Sequence, residues 1–520
     1  MAENVSYINN YLKIYMWKLA AYIAGFASLA IVTPRVTSSA ALFGIFSFCM
    51  SLNIFFQYAD LGFINAAQKY ASEYYGRRDQ DGEIRVTGFC CFIFILFIIP
   101  VSLFILWISF YPELMIKGIS SSPEELKLAS RLLLVLFLFS PILIAQRIIQ
   151  IIFAVRLEDY YPQRINIIVS LIRIASVFYF FGNGRYLLFE YFLFFNLLTI
   201  GAILANVIIA KKRYNYSFLY LLKCCRFSKE LYNKTSKLAY NSFFLSLSWI
   251  IFYELDLLYI GYFLGKNEVA YYAIGLTLLR FFRDAFGTFY YPFVIRFNHM
   301  VGRNENEALS NLYKTLLRIG APITVIPSVA MIVLMRPLIL SWVGPNYENS
   351  IFVSQVLATS FLLSFITYPA GALLTAREQL RKLYLNATVQ PLIFMIGVLS
   401  TQHFLGVSSY AIFKSLAIQV NVLLFIIYSA KYLNISLVSF FNRYMKRLIP
   451  SVLFIIGFGY LVGKLIHAQK GLYSLVVVGI CLSVSVLCAF TIYYFVDAEF
   501  KSFLKSILAR LMKKDKQQIA

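Results

Sequence analysis

Fourteen stretches of mostly apolar residues, each long enough to cross a bilayer as a helix, dominate this sequence. Their approximate limits are 15–34, 39–61, 86–108, 128–154, 163–181, 186–210, 238–262, 268–291, 318–336, 351–374, 385–404, 408–430, 448–467 and 472–496, numbered below as spans 1 to 14. A spanning helix needs roughly 20 such residues to cover about 30 Å of hydrocarbon. The chain is 60% apolar and only 14% charged over 520 residues. Soluble domains stay near 45–50% apolar and about 25% charged, so a soluble core cannot hide this much apolar surface. The expected fold class is therefore an all-α membrane protein with about 14 transmembrane helices. Lys13 and Lys18 precede span 1, but no small-residue cleavage site follows it, so the run is expected to be a retained span and not a signal peptide.

Net charge is +23, which by itself would suit nucleic acid. The distribution points elsewhere. With loops assigned alternately to two sides, 33 of the 47 Lys and Arg fall on the side holding both termini, nine on the other, and five inside spans. That bias is the positive-inside pattern and predicts cytoplasmic termini in a multi-pass inner (plasma) membrane protein, with no nucleic-acid partner. The loops are short. The longest, about 211–237, is basic and has room for an amphipathic surface segment at Phe218–Leu222. Tyrosine doublets at span ends (Tyr74-Tyr75, Tyr160-Tyr161, Tyr290-Tyr291) read as an interfacial belt. The seven cysteines and three histidines form no ligand spacing, so no metal or other cofactor is expected. No Gly-x-x-x-x-Gly-Lys-Ser/Thr loop is present, so no ATP use is expected. Nor is any loop long enough for a catalytic domain, and the chain is not expected to be an enzyme.

An internal repeat runs through the first twelve spans. Phe43–Phe48 parallels Tyr272–Thr277, Gly76–Asp81 parallels Gly302–Glu307, and Arg156 and Asn166 parallel Arg377 and Asn386. Spans 1–6 and 7–12 thus read as two parallel copies, an arrangement in which transporters hold substrate between the halves. The expected organisation is 1–212, an N-terminal six-helix bundle; 213–236, a cytoplasmic linker; 237–432, a C-terminal six-helix bundle; and 433–520, helices 13 and 14 with a basic tail.

Ionisable residues inside spans are expensive and tend to mark a cavity or a partner. Arg280 and Arg283 share a face of span 8; Arg147 lies in span 4, Arg173 in span 5 and Lys414 in span 12. Together they are expected to line a wet vestibule between the halves and to bind a phosphate or pyrophosphate head group, Arg through bidentate bonds and Lys as a point charge. Asp60, Asp256 and Asp284 are candidates for binding a coupling cation, or for neutralising the arginines. Pro100, Pro141, Pro322, Pro327, Pro369 and Pro391 interrupt apolar runs and suggest bends.

Several motifs resemble a known family. Asp60-Leu61-Gly62-Phe63 followed by Ala66 and Lys69-Tyr70, then Asp256–Gly265 with Val269–Ile274, then Trp342-Val343-Gly344 and Leu374–Glu378, resemble the signatures of polysaccharide-biosynthesis flippases. These form the Wzx-like branch of the multidrug/oligosaccharidyl-lipid/polysaccharide exporter superfamily. The resemblance implies a MATE-like V-shaped pair of six-helix bundles plus two C-terminal helices. It also implies a cargo, an oligosaccharide repeat unit on undecaprenyl pyrophosphate, moved from the cytoplasmic to the periplasmic leaflet for O-antigen, capsule or exopolysaccharide synthesis. Implied partners are this lipid-linked oligosaccharide, membrane lipid, and a downstream polymerase or chain-length regulator. Arg280, Arg283 and Lys414 fall in helices where that branch carries cavity cations. The competing readings are a multidrug or metabolite cation antiporter of the same superfamily, a peptidoglycan-precursor flippase, and a membrane polymerase or ligase. The orientation is checked by cysteine accessibility: a cysteine placed near the C-terminus is expected to react only once the inner membrane is breached, and labelling from the periplasm would reverse the topology.

Overall fold

The computed structural model describes residues 2–156, 158–466, 468–502 and 505. The basic tail from residue 506 and His467 lie outside them. All regular elements among the described residues are helices. Ten are long and apolar enough to cross a membrane, twelve if two bent pairs each count as one span. The two remaining expected spans, 2 and 8, are helical as well. Span 2 is divided into Ala40–Ser51 and Asn53–Tyr58, too short singly. Span 8 is the 37-residue helix Lys266–Gly302, which carries Arg280, Arg283 and Asp284.

The chain divides into two compact units, Met1–Ala270 and Tyr271–Ala520. The division falls within Lys266–Gly302, later than the expected linker at 213–236. That linker region is itself helical: Phe218–Cys224 packs on the span 3 helix Gln80–Phe110, and Lys229–Tyr253 begins span 7. Phe218–Cys224 is the predicted surface segment, with Leu221 buried and Leu219 and Leu222 exposed.

In the first unit, span 2 ends at Tyr58, close to its expected limit. After Asp60-Leu61-Gly62 the chain resumes as Phe63–Gly76. Leu61 (φ 47°) and Gly62 (φ 80°) both take left-handed backbone, and the Asp60 carboxylate accepts from the Ile64 amide at 2.9 Å, capping the new helix. Only glycine fits at 62. A Cβ there would lie 2.3 Å from the Ala239 carbonyl oxygen of span 7. Lys117 and Lys266 hold the other end of this unit: the Lys117 amide donates to Gly261 O (2.9 Å), its Nζ to Phe263 O (3.1 Å), and Lys266 Nζ to Gly118 O (3.0 Å).

The internal repeat is visible in how each unit ties its basic helix ends. In the first, Arg156 at the end of span 4 makes a bidentate bond to Glu83 on span 3 (2.7 and 3.0 Å) and lies over Tyr214 at the end of span 6 (4.8 Å). In the second, Arg377 at the end of span 10 donates to Asn306 at the start of span 9 (3.0 Å) and lies over Tyr432 at the end of span 12 (4.7 Å). The next residues repeat too. Asn215 and Asn434 end spans 6 and 12 in left-handed conformation, and Ser217 and Ser436 then cap short surface helices, Phe218–Cys224 and Leu437–Tyr444. Several tyrosines of the doublets make contacts within the unit; the side chain of Tyr291 lies outside the described ones. Tyr160 and Tyr161 stack at 4.5 Å under Arg164, Tyr74 accepts from Lys234 (2.9 Å), and Tyr290 is buried against Tyr368.

Spans 13 and 14, Ile449–Leu465 and Leu472–Val496, share the second unit's core. Ile455, Ala489 and Tyr493 bury with Leu317 and Val325 of the span 9 helix Asn306–Val333. Asp497, fully buried, accepts from Arg447 (3.0 Å) and from the Glu499 and Phe500 amides. Arg318 of span 9 pairs with Glu499.

Two outcomes are expected at the first unit's tie. Glu83→Gln leaves the Arg156 charge buried without its carboxylate, and should lower the stability of the purified protein by about 3–5 kcal/mol in a denaturation assay. In the loop beyond, burial raises the Glu158 carboxyl, but the bonds from Arg213 and Tyr214 outweigh it and leave it below the usual range. Its contribution is therefore present at neutral pH and lost as pH falls through that lowered value. Glu158→Gln should flatten the acid limb of a melting-temperature profile.

Candidate functional site

The second unit places its intramembrane arginines beside a broken helix. Span 10 is Ser350–Thr359 followed by Ser364–Ala376, bent by 46°. No Pro or Gly lies between the two halves, and Pro369, expected to mark a bend, stands within the second. Instead Thr359 Oγ1 turns back onto Val356 O (2.7 Å), the local bonding by which Ser and Thr compete with helix continuation. The opened backbone is satisfied from span 12: Gln419 Nε2 donates to Thr359 O (2.8 Å), and Ser415 and Thr359 hydroxyls bond at 2.6 Å. Ser354 and Ser360 are buried, and their hydroxyls find no protein partner. Irregular backbone at membrane depth is tolerated where protein or a wet cavity supplies partners.

Span 8 runs past this break. Phe282 and Phe286 pack on Phe361 with ring centroids 5.8 and 5.9 Å away, and the Tyr368 hydroxyl donates to Arg283 O at 3.0 Å. Arg280 and Arg283 are both partly exposed. Arg283 Nε lies 3.5 Å from Asp284, whose side chain is 58% exposed. Asp284 thus stands beside an arginine. Lys414 is fully buried, and its Nζ lies 5.5 Å from the Phe394 ring on the span 11 helix Leu380–Leu405. It is turned toward span 11, although its neighbour Ser415 meets the break.

The other candidates lie in the first unit. Arg173 donates from Nε to the buried Tyr191 hydroxyl (2.9 Å) and lies 4.5 Å from the Phe195 ring, so spans 5 and 6 clasp it. Arg147 is near Gln150 (3.4 Å) and in electrostatic contact with Asp60. Asp60 itself caps a helix, as described above. Asp256 is fully buried at the start of the helix Asp256–Phe263. Among the described residues no group of His, Cys, Asp and Glu forms a metal site. Sequence reasoning missed the Ser354, Thr359, Ser360, Ser415 and Gln419 cluster. The signal available was four hydroxyl residues between Ser354 and Ser364 in an otherwise apolar run.

Comparison with known proteins gives the fold a place. A family model described as MatE matches residues 16–179. The solved structure of "Lipid II flippase MurJ, inward closed conformation" superposes with a TM-score of 0.65 at 16% identity, covering 94% of this chain and 99% of that one. The fold is that of the MATE and MurJ transporters. An inward-facing multidrug resistance MATE family transporter of the MOP superfamily gives 0.61 at 15% identity over 80% of this chain and 94% of its own. A MOP superfamily transporter from Pyrococcus furiosus, reported with reverse polarity of its binding pocket, gives 0.51 at 13% over 83% and 94%. No curated protein matches by sequence. The expected all-α, multi-pass membrane fold is thus the observed one.

If Gln419 supports the break, Gln419→Leu should leave the Thr359 carbonyl without that donor and destabilise the protein by about 1–3 kcal/mol, read from detergent melting curves. Gln419→Glu cannot donate in its ionised form and should not restore it.

Proposed function

We propose that this chain is a flippase for a lipid-linked oligosaccharide, carrying a repeat unit on undecaprenyl pyrophosphate from the cytoplasmic to the periplasmic leaflet. The observation that carries the reading is the pair Arg280 and Arg283 on span 8, beside an opened, hydroxyl-rich turn of span 10. Arginine inside the hydrocarbon costs several kcal/mol unless water, a partner or cargo meets it. A pyrophosphate offers the bidentate oxygens that a guanidinium prefers, and the hydroxyls of Ser354 and Ser360 suit a hydrated or glycan-bearing passage.

The physical need for a carrier is plain. A pyrophosphate and its glycan cannot leave water for hydrocarbon at a useful rate, since each unpaired polar group costs several kcal/mol. A protein with two states, each open to one leaflet, supplies polar partners along the way while the polyprenyl tail stays in lipid. Membership of the Wzx-like branch rests on the motifs in spans 2, 7, 8 and 10 and on the MATE- and MurJ-like fold. A mainly basic set of span residues favours an anionic cargo over the organic cations of an antiporter.

One observation favours a second reading, a peptidoglycan-precursor flippase: the MurJ superposition extends over 94% of the chain. Both cargoes carry a polyprenyl pyrophosphate, so the test must separate them. In proteoliposomes, wild type is expected to translocate an undecaprenyl-pyrophosphate oligosaccharide faster than lipid II. Arg280→Ala/Arg283→Ala should cut that rate at least about tenfold while the protein still inserts and folds. An unchanged rate in the double variant discards the site. Preference for lipid II moves the assignment to the second reading.

A further inference from the structure

The tie at the basic end of each unit differs in one respect between the two repeats. In the first unit Arg156 meets a carboxylate, Glu83. In the second, the equivalent Arg377 is oriented by a neutral amide, Asn306 (3.0 Å). Lys382, beside it, is likewise held by a neutral amide, Gln379 (2.8 Å), with its Nζ 4.9 Å from the Tyr428 ring. These cations, with Lys431, Tyr313 and Tyr432, line an open cavity of about 190 Å³. No carboxylate is among its lining residues. The nearest in sequence, Glu378, is exposed and does not line it.

Helix dipoles do not explain the charge. Spans 9 and 11 begin at this cavity while spans 10 and 12 end there, so two positive and two negative helix ends oppose one another. Side chains therefore set the sign. The other cavity at a basic helix end is balanced: in the first unit Arg85, Lys223 and Arg226 share a pocket with Asp79, Asp81 and Glu230. The second unit's cavity has room for roughly six waters at about 30 Å³ each, enough for one phosphate group with its remaining hydration. Two cations fixed by amides and seated on the tyrosine rings of Tyr432 and Tyr428, with the exposed Lys431 beside them, form a ready acceptor for that group.

We propose that this cavity is a phosphate-binding site, distinct from the Arg280–Arg283 pair and from the break after Thr359, and independent of what the protein transports. The phosphate belongs either to a phospholipid head group or to a soluble anion. Arg377 supplies the planar fork, Lys382 a point charge, and Lys431 the exposed contact.

The test uses the full chain in detergent and in nanodiscs, with two probes: inorganic pyrophosphate, read by thermal shift, and phosphatidylglycerol against phosphatidylcholine, read by lipid retention in native mass spectrometry. Two variants accompany wild type. Arg377→Gln/Lys382→Gln removes the cations. Asn306→Glu places in the second unit the carboxylate that the first already has, and should fold at least as stably as wild type. Both should lower affinity about tenfold or more. Stabilisation by pyrophosphate that both variants lose assigns a soluble phosphate. Selective phosphatidylglycerol retention without a pyrophosphate response, lost in both variants, assigns a lipid head group. Binding of neither probe by wild type, or undiminished binding in either variant, overturns the proposal.

Discussion

Hydrocarbon offers no hydrogen bonds, so every backbone amide and carbonyl at membrane depth must find its partner within the protein. That constraint explains why the described elements are all helices, and it explains how the departures are built. Where span 2 opens at Asp60-Leu61-Gly62, the Asp60 carboxylate takes the Ile64 amide. Where span 10 opens after Thr359, the Gln419 amide takes the freed carbonyl. Each break is repaired by a polar side chain, one local and one from a neighbouring span. The polar residues in these spans thus have a structural duty as well as any functional one.

Such duties change the weight of the individual charges. Asp60 caps a helix, Arg173 is clasped by Tyr191 and Phe195, and Lys414 turns into the interface with span 11. Arg280 and Arg283 lie on a helix that runs unbroken through the level where span 10 opens, and their acidic neighbour Asp284 is itself mostly in contact with the surroundings. The two halves differ in their polar details. The first copy breaks span 2 and keeps it free of arginine; the second leaves span 8 continuous and places arginines on it.

Much of the fold was legible because apolar length and the Lys/Arg bias are composition-level signals that local geometry cannot disguise. The repeat was also legible, through Gly76 and Gly302 and through Arg156 and Arg377. What could not be read was any feature set by side-chain direction. That the chain turns after span 2 and resumes at once as Phe63–Gly76 was not read, because the turn rests on the left-handed Leu61-Gly62 and on the direction of the Asp60 carboxylate. The place of the break in span 10 was not read: Pro369, expected to mark a bend, lies inside the second half, and the donor to the Thr359 carbonyl, Gln419, comes from sixty residues later in the chain.

The final two helices carry an implication of their own. Tyr493 and Ala489 sit in the same core as Leu317 and Val325, and Asp497 is locked by Arg447 and by its own chain's amides. Span 9 is therefore upholstered on one side by spans 13 and 14. A chain cut after Leu433 would not simply be a shorter transporter: it would present that face of span 9, shaped for protein neighbours, to fluid acyl chains. A lineage could shed or gain this pair only by reshaping span 9 at the same time.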